Sequence, residues 1–267
     1  MEQVAFFRPS SLLAPYVKHY WILRTDGQSG PQRIIPSGHI QMVFYRGARV
    51  WLPSGGLCCQ GVICGHKTDF SDLVLSGPLE LAAVVFQPCG VRAFFDRPMN
   101  EFSGAVVPLD AAGDKGLAEL EKRMMDAVRV EDQIALLERF LLSRMKFMDT
   151  CLYNRLQAAV QEINRNSGEL RVSQLAAGAC LGEKQFRRIF ADTIGTTPKD
   201  FIRTVRFQRA LSILGNEPGM TFTRLAYRCG YYDQAHLTAE FKEFSGYSPR
   251  QYLAACQPYS DYFSSLG

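Results

Sequence analysis

One stretch of this chain occurs twice, and the second copy follows the first by 51 residues. Phe190, Gly195, Pro198 and Phe201 recur as Phe241, Gly246, Pro249 and Tyr252, at that spacing of 51. Upstream, Leu175, Ala176, Cys180 and Leu181 align with Leu225, Ala226, Gly230 and Tyr231, here 50 residues apart. One residue is therefore inserted in the second copy, between Tyr231 and Leu237. Matching periods on both sides of a one-residue slip point to two copies of one supersecondary unit. Each copy reads as helix, tight turn, helix, the arrangement that presents a helix to the DNA major groove. Double-stranded DNA is the first partner this implies.

The local patterns support two such units. Leu152, Leu156, Ala159, Val160 and Ile163 recur at helical spacing, and residues 166–168 stop that helix. A short second helix is expected over Val172–Gly178, then a turn at 179–182. The third helix buries Phe186, Ile189 and Phe190 and turns Glu183, Lys184, Arg187, Arg188 and Ala191 outward. Pro198, at a favoured first-turn position, opens a long helix with Phe201, Ile202, Val205, Ala210, Leu211 and Leu214 on its apolar face. Over 198–215 that helix is about 27 Å long at 1.5 Å per residue. Such a spacer suits two reading helices set near the ~34 Å separation of successive major grooves. In the second unit, Asp233 can cap a helix that buries Leu237, Phe241 and Phe244. Its outward residues are Gln234, Ala235, Thr238, Ala239 and Lys242.

Charge is distributed accordingly. Residues 1–150 hold 16 Lys+Arg and 16 Asp+Glu, whereas residues 151–267 hold 14 and 10, so the whole +4 excess lies in the second part. A basic module beside a neutral one fits nucleic-acid binding joined to another activity. A solvated helix face would account for such cations in isolation. On the one exposed stripe of a duplicated helix-turn-helix they point to DNA. His236, next to the apolar Leu237, fits packing and base contact equally.

Residues 152–255 resemble the DNA-binding domain of AraC/XylS-type bacterial transcription regulators. That family joins two helix-turn-helix units by a long helix and ends each in G-x-[ST]-P, here Gly195-Thr-Thr-Pro198 and Gly246-Tyr-Ser-Pro249. The resemblance implies that the third and sixth helices of this region read bases. The outward residues there are Lys184, Arg187 and Arg188, then Gln234, Ala235, His236, Thr238 and Ala239. It further implies a structural or phosphate-facing role for Arg206. Two departures stand out: Gly182 where the family usually caps with serine, and Ala239 where an outward arginine is common. The first unit is thus expected to supply most direct readout, with Arg187 or Arg188 on guanine for ~1–3 kcal/mol of discrimination. The second would mainly grip the backbone through Lys242 and Arg250.

The first 149 residues have a different rhythm. Apolar runs such as IQMVFY, ARVWLP and LELAAVVFQP, broken by Gly and Pro, indicate short strands of a small β-barrel or sandwich. Two helical stripes follow, Leu117, Leu120, Met124 and Val128, then Ile134, Leu137, Leu141, Met145 and Met148. The expected class is α+β: a β-barrel or sandwich with helices at 117–148 (residues 1–149), then an all-α DNA-binding domain (150–267). The phrases YVKHYWIL, RIIPSGHIQMVF, GVICGHKTDF and VVFQPCGVRAFF are similar to the cupin-like sensor region of some AraC/XylS members. The resemblance implies a small-molecule effector in the barrel mouth, with Tyr20, Trp21, His39, Gln41, Phe44 and Tyr45 as candidate lining residues. Ordinary core packing accounts for these side chains as well.

Alternatives are limited. Cys58, Cys59, Cys64 and His66 suggest a metal or redox sensor, but adjacent cysteines hinder joint ligation and the spacing fits no common zinc pattern. Cys58, Cys59, Cys64 and Cys89 also lack the spaced pairs of a methyl-accepting zinc site. No G-x-S-x-G, P-loop, G-x-G-x-x-G or H-E-x-x-H occurs, so an enzyme is not expected. His39 and His66 leave open a cupin-type enzyme fused to the DNA-binding module, without the usual paired histidines. Neither a cofactor nor a metal is implied. The run at Leu79–Phe86 gives out at Gln87 and Pro88, too short to cross a bilayer. With eight cysteines and no export signal, a cytoplasmic protein is expected. Further partners would be a second copy, through Ile134, Leu137, Leu141 and Met145, and RNA polymerase if the protein activates transcription.

Overall fold

Strand side chains alternate between two faces, and in the first half of this chain both faces are apolar. The computed structural model describes residues 3–27, 32–48, 50–51, 60–75, 77–146, 150–217 and 219–255. Strands β1 (Gln3–Phe7), β2 (Val17–Thr25), β4 (Gln41–Gly47), β6 (Gly61–Cys64), β8 (Leu79–Phe86) and β9 (Val106–Pro108) form an antiparallel sheet, in the order β1-β2-β8-β4-β6-β9. Strands β3 (Gln32–Ile34), β7 (Ser71–Leu75) and β5 (Val50–Trp51) form a second, in the order β3-β7-β5.

Tyr20, Ile22, Met42, Phe44, Val84 and Phe86 point to one side of the large sheet. There they pack on helices α1 (Lys115–Asp126) and α2 (Val130–Arg144) through Leu117, Leu120, Met124, Leu137 and Leu141. Trp21, Leu23, Val43, Tyr45, Leu81 and Val85 point to the other side, against Ile34 and Leu73 of the small sheet. The period of two thus places a helix layer on one face and a sheet on the other.

The class is α+β, but the expected closed barrel is not formed by the described strands. β1 and β9 remain the two edges of an open sheet. With helices covering one apolar face and strands the other, the sheet buries both without curling on itself. Of the helical stripes, Val128 is 70% exposed in the link between α1 and α2. Met145 is the C-cap of α2, and Met148 lies outside the described residues. Leu137 and Leu141, considered above for a dimer face, are fully buried within the chain.

The second half consists of α3 (Thr150–Arg165), α4 (Val172–Gly178), α5 (Glu183–Ile194), α6 (Pro198–Asn216), α7 (Phe222–Arg228), α8 (Gln234–Ser245) and α9 (Pro249–Ala255). It has two cores, and α6 contributes to both: Phe201 and Ile202 to the first, Phe207, Ala210 and Leu214 to the second. The repeat is visible in the aromatic contacts. Phe190 meets Phe201 edge-on at 5.7 Å between centroids, and Phe241 meets Tyr252 in the same way at 5.4 Å. Each core also receives a residue from the N-terminal half, Cys89 in the first and Ile35 in the second. Among the described residues no helix is long and apolar enough to cross a membrane.

Candidate nucleic-acid interface

The tight turn before each reading helix needs one residue in the left-handed region. Gly230 takes this position in the second unit at φ 69°, and Cys180 takes it in the first at φ 53°. A left-handed residue other than glycine costs roughly 1–2 kcal/mol, so the first turn is the more strained. The helices then start differently. Gly182 precedes α5 with no side-chain cap, whereas the Asp233 carboxylate accepts from the His236 backbone N–H at 2.7 Å. Both end alike, at Gly195 and Gly246 in the left-handed conformation.

On α5, Lys184, Arg187 and Arg188 are all exposed, as expected. Arg187 is tied to Glu183 one turn back, at 2.5 Å. Lys184 and Arg188 have no side-chain partner among the described residues and form the free cationic edge. On α8, Gln234 accepts from the Thr223 hydroxyl of α7 at 2.8 Å, and the Thr238 hydroxyl donates to the Gln234 carbonyl. His236 is exposed. Its ring stands edge-on to Tyr231 at 5.2 Å, and its Nδ1 lies 3.4 Å from the Tyr232 backbone N–H. A ring that accepts at Nδ1 carries its proton on Nε2, which leaves Nε2–H as a donor. Lys242 of α8 and Arg250 of α9 are also exposed.

Arg206 faces inward. It donates to the Glu240 carboxylate at 3.1–3.3 Å and lies 4.6 Å over the Tyr231 ring. Arg203 binds the same carboxylate at 2.8 Å and Glu243 at 2.6 Å. Glu240 is only 4% exposed, so two arginines of α6 hold the reading helix α8 through one buried carboxylate. Sequence reading passed over Glu240. The available signal was an acidic residue within the apolar stripe Leu237, Phe241, Phe244, facing two arginines three residues apart.

The N-terminal half touches both units at their repeated glycine turns. A methyl group on Gly195 would come within 3.0 Å of Ile40 Cδ1 and the Met99 carbonyl. One on Gly246 would lie 2.7 Å from Arg33 Nη1 and Phe70 Cζ. Arg33 donates to the Ser245 carbonyl at 3.0 Å and sits between the Phe70 and Tyr247 rings, 4.3 Å from each. Asp72 orients it through two hydrogen bonds of 2.7 and 2.8 Å.

The six residues considered for an effector pocket do not all converge on one site. Tyr20 and Phe44 face the helix layer, and Trp21 and Tyr45 face the small sheet. The Tyr20 hydroxyl donates to Glu138 of α2 at 3.2 Å, and burial together with that carboxylate raises its pKa. His39, Gln41 and Tyr45 line a cavity of about 50 Å³ between the sheets, far below the ~300–1,000 Å³ of small-molecule sites. Burial lowers His39 to about 3, so its neutral ring donates from Nδ1 to the Ser37 carbonyl at 2.8 Å. Cys58 and Cys59 lie outside the described residues. Burial pushes the Cys64 thiol up to about 11, unfavourable for a thiolate ligand, and lowers His66 to about 4 against the Phe201 ring. Among the described residues no group of three or more His, Cys, Asp or Glu could hold a metal ion.

Comparison with known proteins agrees with this geometry. Residues 175–255 match a family described as a helix-turn-helix domain, and residues 5–108 match a domain of unknown function (DUF6597). Over 95 residues the chain is 30% identical to an uncharacterized HTH-type transcriptional regulator of Haemophilus influenzae, covering 36% of this chain and 32% of that protein. It is 31% identical over 91 residues to an HTH-type transcriptional regulator of Mycobacterium tuberculosis, covering 34% and 35%. With the arabinose operon regulatory protein of Escherichia coli it shares 25% over 130 residues, covering 46% and 44%. The match therefore spans between about a third and under half of the length of these relatives. The second half of the chain contains a helix-turn-helix domain.

Proposed function

We propose that this chain is a transcription regulator of the AraC/XylS type that reads a specific sequence in double-stranded DNA through α5 and α8. The observation that carries the reading is the pair of equivalent helix-turn-helix units, with Lys184 and Arg188 free on the exposed edge of the first. The sequence match over residues 175–255 supports it. Arg188 is the principal base reader, because a free guanidinium can address guanine O6 and N7 together. Arg187 reads only when it leaves Glu183. His236 and Gln234 read from α8, while Lys242 and Arg250 hold phosphates.

In this reading residues 1–149 respond to a small effector and residues 150–267 hold DNA. The coupling runs through the two glycine turns. Linker helix α6 has 19 residues, about 28 Å at 1.5 Å per residue, and the N-terminal half lies against a turn of each unit. A shift of that half against α6 changes how α5 and α8 sit relative to one another, and so their register on two half-sites ~34 Å apart.

The test is binding of the full chain to DNA from upstream of its own gene, against random DNA, across a salt series. Wild type should show a sequence preference that Arg188→Ala relaxes by ~1–3 kcal/mol at one position. Lys242→Ala should instead weaken all sequences alike and reduce the salt slope by about 1. Equal, salt-sensitive binding of every sequence by all three proteins would leave only charge attraction and reject the reading.

A further inference from the structure

The one-residue insertion in the second repeat falls at a single place in the fold. Leu181 aligns with Tyr231 at a spacing of 50, whereas the residues that precede the reading helices, Gly182 and Asp233, align at 51. The inserted residue is therefore Tyr232. It is 84% exposed, more than any other large apolar side chain among the described residues, and its hydroxyl has no partner among them.

The chain on either side of it is fixed. Tyr231 is buried in the second core, with the Arg206 guanidinium over its ring. The Tyr232 backbone N–H meets Nδ1 of His236 at 3.4 Å, and Asp233 caps the helix that follows. Only the Tyr232 side chain is left free, with two torsions to order on contact. An insertion that merely lengthened a turn would ordinarily be Gly, Asn, Asp or Ser. This one supplies an aromatic ring and a hydroxyl donor.

Its place determines what it can meet. A reading helix sets its N-terminal residues against base edges, while the helix before it crosses the backbone. Gln234 is the first residue of α8, and the Thr223 hydroxyl of α7 donates to it. Tyr232 precedes Gln234 by two residues, at most ~7 Å of chain, which puts it at the rim of the groove that α8 enters. The second unit also lacks cations on that helix where the first has them, with Ala235 and Ala239 in place of Lys184 and Arg188.

We propose that Tyr232 is a DNA-backbone contact of the second unit. Its hydroxyl donates to a phosphate oxygen at the groove rim, and its ring covers the adjoining deoxyribose. Tyrosine is among the side chains that contact phosphates, and such contacts fix register without reading sequence. The proposal rests on the DNA reading above and deepens it, adding a neutral grip to the charged one of Lys242 and Arg250.

The test is equilibrium binding of the full chain to DNA from upstream of its own gene and to random DNA, each across a salt series. Tyr232→Phe should weaken both about fivefold, the worth of one neutral hydrogen bond. Tyr232→Ala should weaken both further. Neither should change the salt slope, because a neutral donor releases no counterion, whereas Tyr232→Lys should steepen it by about 1. All three should melt as wild type does, since the side chain is almost wholly outside the fold. The proposal is overturned if Tyr232→Phe binds both DNAs as tightly as wild type. A loss confined to one sequence would make Tyr232 a base reader and also reject it. Unchanged affinity with lost transcription from the adjoining promoter would assign Tyr232 to a protein partner, with the same consequence. Wild type without sequence preference would remove the regulator reading, yet weaker binding of random DNA by Tyr232→Phe would leave the phosphate contact standing. No binding to any DNA would overturn both.

Discussion

In the first helix-turn-helix unit the position of Glu240 is taken by Ile189, and the positions of Ala235 and Ala239 by Lys184 and Arg188. The first unit therefore packs with an aliphatic side chain and presents free cations. The second packs with a buried carboxylate between two arginines and presents alanines, a histidine and a glutamine. Yet Phe190 meets Phe201 edge-on in the first unit as Phe241 meets Tyr252 in the second. The two copies keep the aromatic helix crossings and diverge at the outward positions and at one packed position, Ile189 against the buried Glu240. Close packing allows little volume change at the crossings, while outward positions are free to suit different bases.

The sharpest way to break this comparison is Glu240→Ala. It leaves Arg203 and Arg206 with only Asp200 and the exposed Glu243 as acidic neighbours, both on Arg203, and should cost about 3 kcal/mol, the usual loss when half of a buried ion pair is removed. Ile189→Ala in the first unit should cost less. A loss below about 1 kcal/mol for Glu240→Ala in urea unfolding would put the network no higher than a surface pair.

Acid should act next, on the side where the N-terminal half meets the first unit. His39 and His66 are held neutral in the fold, at about 3 and about 4, whereas an unfolded histidine titrates near 6.5. As pH falls through 6.5 the unfolded chain takes up protons that the native state refuses. Stability should drop by about 1 kcal/mol per histidine between pH 7 and 5.5. A urea midpoint unchanged over that range would show that these rings charge in place. The Arg33 contact with the second unit involves no histidine and should persist.

The helix starts differ by a smaller amount. Asp233→Ala removes a side-chain cap and should destabilise by about 1 kcal/mol, whereas Gly182→Ser should stabilise by only a few tenths. Thermal melts of both variants would show whether the two caps are as unequal as they look. The turn gives a change of similarly small size. Cys180→Gly relieves a left-handed residue but adds freedom to the unfolded chain, for a net gain below about 1 kcal/mol. Because Cys180 is exposed, a melting temperature that falls would mean that the turn is not strained.

Much of the second half could be read from spacing alone. The α4 range Val172–Gly178, the cap at Asp233, the glycine ends at Gly195 and Gly246 and the outward cations of α5 all follow from patterns spanning a few residues. The first half was less legible. Its strands were visible as apolar runs, but an open sheet covered on both faces and a closed barrel leave similar runs. The alternation of Tyr20 with Trp21, and of Phe44 with Tyr45, already placed these neighbours on opposite faces and argued against one shared pocket.

From its sequence alone this protein has two copies of one unit, a spacer helix between them and a cationic face on the first, because repeats, caps and helical stripes are local properties. The tertiary structure decided what joins the halves. Arg33 meets Ser245 across 212 residues of sequence, and the Tyr153 hydroxyl of α3 donates to the Pro15 carbonyl across 138. Contacts of that kind depend on how finished elements pack, and close side-chain packing carries no periodic signal along the chain.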